Sequence, residues 1–310
     1  MQEPIAEVFQ IPAPVSVTIE IRDSVSELVP KKEEYVFRKE LLSDLLAWHK
    51  GAAGDDPLYL TGPTGSGKSS LITQTAARLR IPLYVVSCHE RMEIPELFGR
   101  FVVRDGQMNW VDGPLVAGLK DPEGAWVFLD EIDTIYPGTF VGLNAVLEGR
   151  RVSIPETGEL LDPSKYGAKI IVAGNTAGNG DDTGIYQSTK RQNAASMGRF
   201  MVVNVGYPTS DEEIKVLSKS CPDVPEEIGG GMIKVANMVR ELYQGGEIEC
   251  VFCTRTLIRW ANLCQFYKAK PGINPLVYAL DRALGFRAEE SSRNAMHELV
   301  QRVFGNGNGN

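Results

Sequence analysis

Residues 57–80 read PLYLTGPTGSGKSSLITQTAARLR. A short apolar run, PLYLT, enters a glycine-rich turn and leaves it in a stretch of helical spacing. Gly62-Pro-Thr-Gly-Ser-Gly67-Lys68-Ser69 fits G-x-x-x-x-G-K-[ST] in the context where that pattern has a mechanism, between a strand and a helix. Glycines let backbone N–H groups turn inward around phosphate oxygens, and the helix N-terminus adds its positive end. Gly62, Pro63, Thr64, Gly65, Ser66, Gly67, Lys68, Ser69 and Ser70 are therefore the expected nucleotide cradle. Lys68 is expected to reach the β- and γ-phosphates and Ser69 to hold Mg²⁺.

The surroundings of this stretch repeat its rhythm. PLYLT, IPLYVVSC, AWVFLDE, AKIIVAGN and FMVVNVG are short β-rich runs separated by crossovers, which predicts a parallel sheet with helices on both faces, an α/β fold. Two of these runs end in a carboxylate or an amide. AWVFL closes on Asp130-Glu131, and a parallel strand ending in Asp puts that carboxylate at the sheet edge where ligands bind. Asp130 is expected to position Mg²⁺, directly or through water, leaving Glu131 to polarise the attacking water as general base. AKIIVAG closes on Asn175, whose amide would orient the water or contact the γ-phosphate. An Asn after a strand is also a common turn residue, so Asn175 gains its meaning from the other strand tips. No N-K-x-D run for guanine is present, and a nucleoside kinase would not need this Asp-Glu pair and polar tip.

The chain has 310 residues, a formal net charge of −8 and a pI of about 5.1, which counts against nucleic acid as the main partner. MQEPIAEVFQIPAPV lacks the basic start and apolar core of a signal peptide, and no run approaches a membrane span. Five cysteines without a disulfide-type framework suit a reducing, cytoplasmic setting. Cys250-Val-Phe-Cys253 has the spacing of half a zinc site, but the only histidines are His49, His89 and His297, so small buried hydrophobes are the expected reading.

Residues 1–37 form a Pro-punctuated N-terminal arm with one alternating stretch, VSVTIEI, and residues 38–207 form the α/β nucleotide-binding core. Beyond Pro208 the pattern turns helical over 208–304, opening on a Ser–x–x–Glu box at Ser210 and Glu213 and including NPLVYALDRAL, capped by Asn274. The tail at 305–310, GNGNGN, is expected to be disordered.

With these motifs in place, residues 35 to 305 resemble the AAA+ ATPases, and within them the MoxR-like clade. FVVRDGQMNWVDGPL, a hairpin on an Asp-Gly turn at about 99–115, looks like that clade's insert in the second helix. Residues 151–169 look like its hairpin before the sensor strand, and in relatives both line the pore face of a ring. GNTAGNGDDTGIY, Gly174 to Tyr186, follows the pattern G-N-T-x-G-x-G-D-x-T-G-x-Y of the AAA+ subunits of aerobic cobaltochelatases. SMGRF and TRTLIRWA agree with the same type, whereas the loop interior PTGS and the Cys253-Thr254 pair depart from it.

The resemblance implies an ATP- and Mg²⁺-dependent hydrolase working as a homo-oligomeric ring, a hexamer, with the segment after 208 as a helical lid. It implies a partner carrying a von Willebrand A domain, and metal insertion into a corrin-type ring as the sharpest version. It assigns Arg199 as an arginine finger given in trans to the next subunit, and Arg255 as a second sensor; Arg191 and Arg259 compete for these roles. For either arginine the plain alternative is a surface ion pair. Two other functions fit similar motifs: a nucleic-acid-acting motor of restriction type, and an assembly scaffold that hydrolysis only resets.

Overall fold

The structure, a computed structural model, describes residues 1–24, 26–181, 186 and 188–305. The chain divides into two compact units. The first comprises Met1–Glu33, Lys39–Pro63 and Lys68–Val205; the second comprises Glu34–Arg38, Thr64–Gly67 and Gly206–Asn310.

The first unit is built on a five-stranded sheet of β1 (Leu58–Thr61), β2 (Leu83–Ser87), β3 (Trp126–Asp130), β4 (Lys169–Gly174) and β5 (Met201–Asn204), in the order β5-β1-β4-β3-β2. Every pairing is parallel, as the five apolar runs predict. Parallel strands are covered on both faces, so a central one reads as an unbroken apolar run rather than an alternation. Tyr59, Phe128, Ile171 and Val172 are accordingly buried. Register brings the strand ends level: Gly174 and Asn204 both lie opposite Thr61, and Ser87 lies opposite Asp130. Whatever follows each strand therefore emerges along one edge.

Helix Lys39–His49 supplies Leu42, Leu45 and Trp48 to this core, with the Trp48 ring edge-on to Trp126 at 5.6 Å. The N-terminal residues fold back on the same unit. Gln2–Pro4 pairs antiparallel with Thr18–Glu20, only three residues of the alternating stretch, and Ile5, Phe9, Ile19 and Ile21 are buried. Arg22 closes the contact, donating to the carbonyls of Glu123 and Gly124 while its own N–H reaches Leu79 O at 3.1 Å.

Two hairpins interrupt the crossovers. Gly99–Arg104 pairs with Gln107–Asp112 about Asp105 and Gly106, both at left-handed φ (52° and 75°), as the primed turn of a two-residue hairpin requires. Phe101, Val103, Met108 and Val111 remain exposed on it. Val152–Ile154 pairs with Glu159–Leu161 in the second hairpin.

The second unit is helical after Gly206, with helices Ser210–Ser220, Glu226–Gln244, Thr254–Tyr267, Pro275–Ala283 and Glu290–Phe304 around Val239, Phe252, Trp260, Leu280 and Met296. Asn274 caps its helix, accepting from Leu276 N at 2.9 Å. The first cap falls one residue earlier than the Ser210–Glu213 expectation. Thr209 accepts from Glu212 N and the Glu212 carboxylate accepts from Thr209 N at 2.8 Å. T-x-x-E overlaps S-x-x-E here, and packing decides between them, because Glu213 is drawn inward to Arg240. Residues 306–310, on which most of the expected disordered tail falls, lie outside the described residues.

Candidate nucleotide-binding site

The turn after β1 delivers Lys68 at the first position of helix Lys68–Leu79. Lys68 is buried, with 8% exposure, and its Nζ donates to Gly62 O at 2.7 Å, Pro63 O at 3.2 Å and Asn175 Oδ1 at 3.1 Å. All three acceptors are neutral. The ammonium is thus satisfied without a bound carboxylate, and an anion can recruit it by exchanging weak acceptors for a charged one. Burial lowers the Lys68 pKa, while Asp130, Asp133 and Glu131 oppose that shift.

Ser69 is next on the helix, and its Oγ donates to Asp130 Oδ2 at 2.6 Å. Two hard oxygens so close, one of them anionic, are the donor type that Mg²⁺ takes beside phosphates. These residues fit the ion. Asp130 Oδ1 accepts from Glu131 N at 3.0 Å, which turns the backbone at Glu131 into the left-handed region at φ 57°. The Glu131 carboxyl is exposed and its pKa is raised above 4.5 by partial desolvation, then by Asp130 and Asp133, with Lys68 opposing. A raised carboxylate pKa makes a stronger base at neutral pH.

Asp133 completes the network, though no local motif assigns it a role. It is fully buried, and its Oδ2 accepts from Asn175 N at 2.8 Å, Thr176 N at 2.9 Å and Thr176 Oγ1 at 3.2 Å. Tyr59, on β1, donates its hydroxyl to Thr176 O at 2.8 Å. The end of β4 is thereby pinned from two sides, and the Asn175 amide is aimed at Lys68. Burial raises the Asp133 pKa against these donors. The available signal was the spacing in Asp-Glu-Ile-Asp, which puts a third acid in an otherwise apolar run.

The structure therefore brings Lys68, Ser69, Asp130, Glu131 and Asn175 together along the sheet edge. Within the second unit, Ser66 Oγ is buried without a hydrogen-bond partner among the described residues, an orphaned donor in the loop that an anion would satisfy. Gly65, at φ 74°, leaves no room for a side chain: a Cβ there would fall 2.8 Å from Cys253 Sγ and nearer still to Cys253 Cβ. Cys253 is the N-cap of helix Thr254–Tyr267, so Arg255 starts beside the loop's own glycine and is exposed, as is Arg259 one turn on. Cys250 is buried and Cys253 half-buried, both free thiols.

Arg199 is held apart from this network. It pairs with Glu148 through Nε and donates to Ala195 O through NH1, with a quarter of its side chain exposed. Glu148 is shared with Arg150 at 2.6 Å. Arg191 is exposed and bridges to Asn179. Of the Gly174–Tyr186 pattern, residues 182–185 lie outside the described residues.

A parallel sheet that aligns a phosphate loop, a Ser–Asp pair and a polar strand tip along one edge defines a P-loop nucleotide-binding protein. Residues 57–192 match the AAA domain (dynein-related subfamily), and residues 213–303 match the CbbQ/NirQ/NorQ C-terminal domain. The chain is 30% identical over 218 residues to the denitrification regulatory protein NirQ of Stutzerimonas stutzeri, spanning 70% of this chain and 74% of that one. It is 28% identical over 269 residues to protein NorQ of Paracoccus denitrificans, spanning 84% and 92%. Over 281 residues it is 27% identical to the aerobic cobaltochelatase subunit CobS of Sinorhizobium sp, spanning 88% and 81%. The chain belongs to the MoxR-like AAA+ ATPases, alongside NirQ, NorQ and CobS. Among the described residues no helix is long and apolar enough to cross a membrane.

Proposed function

We propose that this AAA+ ATPase hydrolyses Mg·ATP within a homo-oligomeric ring and uses the cycle to remodel or activate a partner protein. The observation that carries the reading is the convergence of Lys68, Asn175, Ser69 and Asp130 on one sheet edge after the phosphate loop. Lys68 binds the terminal phosphates, Ser69 and Asp130 would hold Mg²⁺, which would supply charge neutralisation there, and Asn175 fixes the phosphate or the water. Glu131 takes the proton from that water. Arg199 serves a neighbouring subunit's nucleotide, and Arg255 acts as the second sensor. An arginine suits both because its fork stays charged and meets phosphate oxygens in a plane.

A von Willebrand A domain protein is the proposed partner. The likeness to CobS supports a sharper version, in which the partner complex inserts a metal ion into a corrin-type ring. The likeness to NirQ and NorQ supports activation of another protein equally well. Against a nucleic-acid motor stands the acidic balance, a net charge of −8.

The test separates binding from turnover. Lys68→Ala should lose nucleotide affinity, whereas Glu131→Gln should keep affinity and lose nearly all turnover, read by nucleotide titration and phosphate release. The wild-type kcat should fall on acidification at a pH above the ordinary glutamate value of 4.5, because the Glu131 pKa is raised. Full turnover in Glu131→Gln would refute the assignment of the base. Turnover stimulated by DNA with a steep salt dependence would refute the protein-remodelling reading.

A further inference from the structure

Helices Thr254–Tyr267 and Pro275–Ala283 of the second unit pack along each other, and one side of the pair carries rings and cations rather than a mixed polar surface. The Tyr267 and Tyr278 rings meet edge to face at 4.8 Å, and Phe266 continues the row against Tyr267 at 5.1 Å. The Arg282 guanidinium lies 3.3 Å from the Tyr278 ring centroid and 5.3 Å from that of Phe286. Lys270 donates to the Tyr278 hydroxyl at 2.8 Å and sits 4.4 Å from the same ring. Phe266 is 79% exposed and Phe286 61% exposed, so two phenyl groups flank the cations in open solvent.

Two features make this more than scattered surface apolarity. The rings and cations form one connected row, in which each member fixes the next. Among the described residues, moreover, no carboxylate comes within 4.0 Å of the Lys270 or Arg282 nitrogens, in a chain whose net charge is −8. The row holds two preorganised positive groups that the chain's own abundant acids leave unpaired.

We propose that this surface docks a linear acidic segment of a partner protein, with aromatic or branched apolar side chains spaced among its carboxylates. Arg282, braced on the Tyr278 ring and by an NH1 bond to Tyr278 O at 2.8 Å, is exposed and offers its remaining N–H groups to a carboxylate at little ordering cost. Lys270 supplies a second charge contact, and Phe266 and Phe286 take the apolar side chains at either end. Nucleic acid fits less well. Arg282 already covers one face of Tyr278 and the Tyr267 edge abuts the ring, so the central ring is poorly placed to stack a base. The inference goes beyond the ATPase reading and stands without it, because it concerns a surface and not turnover.

Fluorescence anisotropy on the full-length chain tests it, with a labelled dodecapeptide of glutamate carrying phenylalanine at every fourth position as the probe. Its lysine-for-glutamate counterpart and a twelve-nucleotide oligothymidylate serve as comparisons. The acidic peptide should bind in a salt-sensitive manner, and its affinity should fall at least tenfold in R282E and in the F266S/F286S double variant. Basal ATP turnover and melting temperature should match wild type, since all three side chains are exposed. R282Q, the milder change, should give an intermediate loss. The proposal is overturned if wild type fails to bind the acidic peptide, if the variants bind it as wild type does, or if oligothymidylate binds more tightly. It is also overturned if sedimentation shows that the variants lose self-association, because the occupant would then be a second copy of this chain.

Discussion

Arg240, in the second unit, donates to both oxygens of Glu213 at 2.8 and 2.9 Å, to Phe252 O at 2.8 Å and to Asn237 Oδ1 at 2.8 Å. The Tyr207 ring lies 4.5 Å away, and Thr254 adds its hydroxyl to Glu213 at 2.9 Å. Arg199, in the first unit, meets Glu148 through Nε alone and a single backbone carbonyl, in a setting still open to solvent. Its glutamate is divided with Arg150. A buried guanidinium with nearly all its donors engaged cannot leave, because the desolvation it has already suffered is offset only by these partners. One that is a quarter exposed and held by a single shared carboxylate can exchange it for another anion at a smaller cost. The first arrangement suits a fixed strut, and the second suits a cation with business elsewhere, which is what the proposed finger requires.

The largest effect that could break this comparison is kinetic. In assembled protein Arg199→Ala should lose about 10³-fold or more in kcat, yet lose less than about 1 kcal/mol in unfolding free energy. Full activity in the assembled variant would remove Arg199 from the site and leave Arg191 to be tried. Arg240→Met should do the reverse. Leaving Glu213 buried without its cation, with only the Thr254 hydroxyl to stabilise it, should cost about 3–5 kcal/mol in chemical denaturation. Adding Glu213→Leu should return most of it, since the uncompensated charge goes too. If the single variant were no worse than Arg199→Ala, burial would not be what distinguishes the two pairs.

A third polar group sharpens the contrast because one of its nitrogens has no hydrogen-bond partner among the described residues. His49 Nδ1 is buried without a hydrogen bond, and the ring stands edge-on to Trp126 at 5.4 Å. Desolvation, reinforced by Lys169, Arg22 and Lys50, lowers its pKa from 6.5 to about 4. The unfolded chain then binds a proton that the folded chain refuses between those two values. Stability should therefore rise with pH through this window and level off above pH 6.5, with a total of about 3 kcal/mol. Thermal melts from pH 4 to 7 should show the slope, and His49→Phe should flatten it.

The contrast also explains what the sequence made legible. Strand runs such as AWVFLDE and the glycine-lysine turn carry their meaning locally, since burial on both faces imposes apolar continuity and phosphate binding imposes glycine. The α/β class and the family followed from them. Asp133 carries no local mark because its role depends on the end of a strand about 42 residues away, where it accepts from the backbone N–H groups of Asn175 and Thr176. Glu213 looks locally like part of a helix cap for the same reason: nothing local reveals that Arg240, 27 residues on, pairs with it in the interior. Local grammar fixed the first-contact residues of the loop, while the buried acids that orient them are set by tertiary pairing.

Glu148→Gln is the smallest perturbation and the most discriminating. It keeps the shape of the side chain and removes the charge that Arg199 and Arg150 share. Solvent reaches 25% of the Arg199 side chain and 20% of Glu148, so the unfolding free energy should move by about 1 kcal/mol, and added salt should shrink the change only in part. Kinetics then decides what the glutamate does. If Glu148 only rests against Arg199 between encounters, the variant should turn over ATP at least as fast as wild type, because nothing competes with the neighbour's phosphate for the guanidinium. A loss of kcat approaching that of Arg199→Ala, at unchanged stability and nucleotide affinity, would instead mean that Glu148 aims the arginine, and the two pairs would then differ in burial but not in purpose.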